Sequence, residues 1–165
     1  MTDFVFEAFR RVNRETLHRI WQKARKGKLK GLTEEEQRLG KVMLQHSDEY
    51  FNQFEFADVT AEREFAPGTE VNPFLHVTLH AVIEKQLEDR HPIEAFQFYN
   101  AMIKHKCTRH EAIHLLMTIL VRFLFPMLKT KGPFPLNRYS ELLKKYKSRK
   151  PDSIIKLLED EPDLR

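Results

Sequence analysis

Four histidines stand at spacings that could build a metal centre. His76 and His80 lie in the run NPFLHVTLH, and His110 and His114 lie in TRHEAIH. Residues four apart on an α-helix sit one turn above each other, so each pair puts two imidazoles on one helical face. Imidazole is a ligand for zinc, iron, copper and nickel, and two such helices can surround one ion. The second pair also reads His-Glu-x-x-His, the pattern in which two histidines ligate zinc and the glutamate acts as general base.

Four ligands to one zinc or iron ion would close the site and make it structural. Three would leave a position for water, and Glu111 would then be the candidate catalytic base for hydrolysis. Glu111 has a second reading, because Thr108-x-x-Glu111 spells a capping box and so opens a helix. Glu84 continues the His80 face by one turn and is a possible further ligand or a solvated ion-pair partner. His46 and Glu49, three residues apart, are candidates to approach the same cluster, and a dimetal bundle would draw on these groups. His18, His91 and His105 have no partner at helical spacing. Cys107 precedes the capping threonine, where a helix N-terminus and an imidazole could activate a thiol; the ordinary alternative is an inert cysteine.

Placing these groups requires helices, and the composition suits them. The chain has 165 residues, 41% of them hydrophobic and 32% charged, with only five glycines. That length predicts one domain with one core. Thirteen phenylalanines supply the burial, each contributing roughly 1.5–3 kcal/mol when removed from water. One cysteine excludes an intramolecular disulfide and a thiolate zinc site. The N-terminus is charged at Asp3, Glu7, Arg10 and Arg11, unlike a signal peptide. The apolar stretch Leu115 to Leu128 is broken by Arg122 and Pro126 and falls short of the roughly 20 residues of a membrane span. A soluble, cytoplasmic protein is expected. Five glycines also leave no phosphate-cradling loop.

The net charge of +4 is unevenly spread. Residues 1–31 carry nine Lys/Arg against three Asp/Glu, and residues 129–150 carry eight against one. The middle of the chain is acidic. The basic ends are either a binding surface for an anionic partner or solvated helix faces. Without interleaved aromatic residues, nucleic acid is not the favoured partner.

Periodicity and punctuation predict a helix over 4–26, striped by Phe6, Phe9, Val12, Leu17, Ile20 and Trp21 and ended at Gly27. Thr33 to Glu36 forms a capping box for a second helix reaching about His46, with Ser47 capping a short continuation to Phe54. A long connection over 57–71 follows, a length often associated with function. Asn72-Pro73 starts a third helix over 74–89. Further helices are expected over 93–106 (Phe96, Tyr99 and Ile103 inward), 109–125, 138–148 and 152–160. The result is an all-α, single-domain bundle of about five to seven helices. Its N-terminal helix (1–31) and C-terminal helices (129–165) are basic.

Both histidine pairs continue apolar seams. On the third helix His76, His80, Ile83 and Leu87 adjoin Leu75, Leu79, Val82 and Gln86. On the fifth, His110, His114, Met117, Val121 and Leu124 adjoin Ile113, Leu116, Leu120 and Phe123. A buried polar group without a partner costs roughly 1–3 kcal/mol. The imidazoles must therefore find a shared metal, a backbone carbonyl or a carboxylate.

The run Asn72-Pro73-Phe74-Leu75-His76-x-x-x-His80, followed by His110-Glu111-Ala112-x-His114, resembles a bacterial family, domain of unknown function 1841. The segment Leu44-x-His46 with Glu49-Tyr50 is similar to its upstream part. The resemblance spans about 33–125 and implies a small helical bacterial protein, with no activity or partner attached. Two functions then compete. One is a metal-binding helical protein, with hydrolase or redox activity as its extension. The other is a non-enzymatic interaction module whose basic ends dock an acidic protein or nucleic acid, with the histidines as core hydrogen bonders.

Overall fold

The computed structural model describes residues 14–66 and 69–160. Among these residues it is all helical, with eight α-helices and one short 3-10 turn, Leu29–Gly31. The helices are α1 (Arg14–Arg25), α2 (Glu34–Gln45), α3 (Ser47–Glu55), α4 (Pro73–Asp89), α5 (Ile93–Lys104), α6 (Arg109–Thr130), α7 (Leu136–Tyr146) and α8 (Pro151–Asp160). The count exceeds the expected five to seven because 47–55 is a helix of its own. His46 sits between α2 and α3 at φ −104°, ψ 12°, which ends one helix and begins the next. Ser47 does not cap α3; its hydroxyl donates backward to the Leu44 carbonyl at 2.8 Å. Phe6, Phe9 and Val12 lie outside the described residues.

The polar starts of three helices follow from local chemistry. Thr33 and Thr108 each close a reciprocal capping box, with Glu36 and Glu111 respectively. Asn72 Oδ1 accepts from the backbone of Phe74 and Leu75, both at 3.1 Å, and Pro73 takes the first helical position, where no donor is needed. Thr108→Ala is expected to cost about 0.5–2 kcal/mol in urea unfolding, the usual loss for an N-cap oxygen.

The chain divides into two compact units, the boundary falling within α4 after Val82. In the first unit α1 packs on α2 and α3. Its core joins Leu17, Ile20 and Trp21 from α1 to Val42, Met43, Phe54, Phe74 and Val77. Helix α2 carries Gly40, where a Cβ would come within 3.3 Å of both Ala24 and Ile20 side chains. The missing side chain thus permits the close approach of α1. Trp21 meets Phe51 edge-on and Phe54 at a tilt, with centroids 5.6 and 5.4 Å away. Its indole N–H donates to Glu55 at 2.7 Å.

That bond, with a second from Arg25, holds the Glu55 carboxyl below its ordinary value of 4.5. A carboxyl depressed by folding contributes stability above its unfolded pKa and loses it as pH falls through the folded one. Unfolding measured between pH 7 and pH 3 should therefore lose free energy below about 4.5. The Glu55→Gln variant should show a shallower decline over the same range.

In the second unit α5 packs on α6 and α7, and α6 also packs on α7 and α8. The inward face of α5 is Ala95, Phe98 and Met102, not the expected Phe96, Tyr99 and Ile103. This helix is apolar on several sides, so spacing alone does not choose its face. Phe96 instead lies under the Arg90 guanidinium at 4.7 Å. Phe123, Phe134 and Tyr139 form an aromatic cluster with centroids 5.5–6.3 Å apart. The Tyr139 hydroxyl donates to Gln86 at 2.9 Å, and burial pushes its pKa upward.

Helix α6 does not end at Pro126 but continues to Thr130, closing at Lys131 in the left-handed region at φ 53°. Pro126 removes the N–H that would meet the Arg122 carbonyl and crowds that carbonyl with its ring. The burial of Phe123, Leu124 and Met127 on either side carries the helix past it. At 22 residues α6 is, among the described residues, the one helix long and apolar enough to cross a membrane by length and composition, with 56% of its apolar window buried.

Candidate metal centre

The three imidazoles of the first unit converge. His46 is buried at the α2–α3 corner, His80 is buried on α4, and His76 is half-buried one turn before it. The His46 and His76 Nε2 atoms are 3.1 Å apart. The His46 ring stands edge-on to both others, at 4.8 Å from His76 and 4.9 Å from His80. His46 Nδ1 lies 2.9 Å from the Val42 carbonyl. A carbonyl only accepts, so Nδ1 carries the proton and Nε2 presents its lone pair toward His76.

This arrangement has two chemical uses. A protonated His76 Nε2 can donate to His46, or both nitrogens can point at one ion. Ligands at 2.0–2.1 Å in a tetrahedral zinc site are separated by roughly 3.3 Å, close to the observed spacing. A ligating histidine usually donates its other ring N–H to a carbonyl or carboxylate, which fixes the tautomer; the Val42 bond to His46 has that form. Tyr50 lies beside the cluster, its ring parallel to His46 at 6.3 Å and 5.8 Å from His76. Burial, and then the neighbouring Glu49 carboxylate, push the Tyr50 hydroxyl above its ordinary value. Glu49 itself is exposed.

In the second unit His110 and His114 stack along α6 with ring centroids 4.0 Å apart, His110 exposed and His114 half-buried. The two nearby carboxylates have evident tasks. Glu84, near the end of α4, is buried and ion-paired with Arg109, which also donates to the Tyr99 hydroxyl at 3.4 Å. Glu111 accepts from the Thr108 backbone at 2.7 Å and from its hydroxyl at 2.9 Å. Those bonds hold its carboxyl below the ordinary range, so it caps α6 as an anion. Cys107 is not activated. Burial pushes its thiol up, and the Glu111 and Asp152 carboxylates add to the shift.

Each unit therefore gathers the histidines that spacing predicts for it, and His46 joins the first set. Sequence reading marked His46 only as a candidate to approach, because its partner is thirty residues away. Its signal was an apolar helix ending on a histidine, immediately before Ser-Asp-Glu.

The family model described as domain of unknown function, DUF1841, matches residues 9–145. The match reaches beyond the 33–125 of the sequence resemblance, taking in α1 and nearly all of α7. No curated protein and no solved structure matches the chain.

Proposed function

We propose that this chain, which belongs to the DUF1841 family, binds a zinc or iron ion through its helical histidines. The first unit offers His46, His76 and His80 as donors, and in the second unit His110 and His114 are the helix-spaced candidate pair. The observation that carries the proposal is the His46 geometry: one ring nitrogen donates to Val42 while the other faces His76 Nε2 at 3.1 Å.

Nitrogen donors without thiolate suit zinc or iron. Glu84 and Glu111 serve Arg109 and Thr108, so a single ion fits better than a carboxylate-bridged pair. Should one imidazole give way to water, the ion would supply a hydrolytic or redox position, with Glu111 as the candidate base that the His-Glu-x-x-His spacing marks. Cobalt(II) titration tests the ligand set. One equivalent should produce the intense visible bands of a four-coordinate nitrogen site, and the His46→Ala variant should lose them. The weak spectrum of hydrated cobalt in both proteins would contradict the reading.

Interaction through the basic C-terminal stretch is the second reading. It rests on the eight cations against one carboxylate in 129–150. Two of those lysines are engaged within the unit, Lys144 with Glu94 and Lys147 with Gln97. Binding to a polyanion such as heparin should then weaken steeply with salt. Salt-independent retention would count against it.

A further inference from the structure

The second unit holds a groove that the histidine centre does not use. It runs along the C-terminal half of α6, past the Gly132–Pro135 turn, to the first turn of α7, with a volume of about 1070 Å³. Phe125, Pro126, Pro133 and Pro135 line it together with Lys129 and Arg138. Three features point to a ligand.

Phe125 keeps 55% of its surface exposed on a helix whose other phenylalanine, Phe123, is buried. An aromatic ring left open inside a concavity is surface that a ligand can cover. The walls are also pre-formed. The Pro133 and Pro135 rings fix their own backbone φ angles, and Pro126 sits within a continuing helix, so little ordering remains to oppose binding. Finally, the charge has one sign. Arg122, Lys129 and Arg138 line the groove and no carboxylate does, among the described residues. Helix α7 begins at Leu136, after Pro135, without a side-chain cap or an acidic residue in its first turn. Arg138 and the positive end of that helix therefore stand at the same end of an apolar trough.

We propose that this groove binds a small amphipathic anion, an aliphatic chain ending in a carboxylate, with the chain against Phe125 and the prolines and the carboxylate toward Arg138 and Lys129. The volume lies just above the ordinary range of small-molecule sites, roughly 300–1,000 Å³. The assignment is independent of the metal, since none of the histidines lines the groove.

Calorimetric titration with dodecanoate, below its micelle concentration, tests it on the full chain. Saturable one-to-one binding is expected, weakened about ten-fold or more by either Phe125→Asp or Arg138→Glu. Both side chains are exposed, so the thermal melts of the variants should match the parent. Dodecyltrimethylammonium, with the same chain and the opposite charge, should bind at least about ten-fold more weakly. Equal binding of the two amphiphiles, or affinity unchanged in both variants, would overturn the proposal. So would absence of dodecanoate binding alongside saturable binding to phosphatidylglycerol vesicles, an outcome that assigns the groove to a membrane surface.

Discussion

Replacing His80 with alanine should lower metal affinity by roughly 100-fold or more, about 2.7 kcal/mol. His80 is 1% exposed and its ring faces that of His46. A ligand in such a position has no substitute from solvent. His46→Ala should have a comparable effect, because it removes the imidazole whose tautomer the Val42 carbonyl fixes. His76→Ala should cost less, since His76 is half-buried at the margin of the cluster. Competition with a chromophoric zinc chelator measures all three. Equal affinities across the parent and the variants would remove these residues from the ligand set. The His80→Gln variant separates ligation from packing: it restores much of the side-chain volume and should still lose the metal.

The second large effect belongs to the core. Trp21→Ala should destabilise the fold by about 3–5 kcal/mol, the usual loss for a buried large aromatic. Trp21 is 1% exposed, contacts Phe51 and Phe54, and donates to Glu55. Trp21→Phe should cost less, because part of the ring packing survives while the Glu55 bond is lost. Urea unfolding of both variants checks the order. A loss below about 1 kcal/mol for alanine would mean that the α1–α3 contact is not central to the first unit.

Metal and stability are linked in the same experiments. An ion that binds only the folded chain stabilises it by about 2.7 kcal/mol when its free concentration is one hundred times the dissociation constant. Chelation should accordingly lower the melting temperature of the parent and leave that of His80→Ala unchanged. Acid should have a similar effect, since imidazoles must be neutral to ligate and affinity falls as they protonate.

How much of this was legible in the sequence depends on the range of the interaction. Thr33/Glu36, Thr108/Glu111 and Asn72-Pro73 act within one helical turn, and all three place helix starts correctly. The all-helical class follows from the same short-range signals. The inward face of α5 was missed because Phe96 and Phe98 sit two residues apart and spacing fits either. The end of α6 was missed because a proline costs one hydrogen bond, whereas the buried side chains flanking it decide whether the helix continues. The histidine pairs were visible because their spacing is helical. The role of His46 was not, since it arises from a helix corner folding back on a partner thirty residues away. The pairing of Glu84 with Arg109, twenty-five residues on, escaped sequence reading for the same reason.

Elemental analysis tests the central claim most directly. Untagged protein, purified without added metal or chelator, is compared with a variant carrying alanine at His46, His80, His110 and His114. About one zinc or iron per chain in the parent and none in the variant is the predicted result. A parent that holds no metal even after reconstitution, or a variant that holds as much as the parent, would contradict the account.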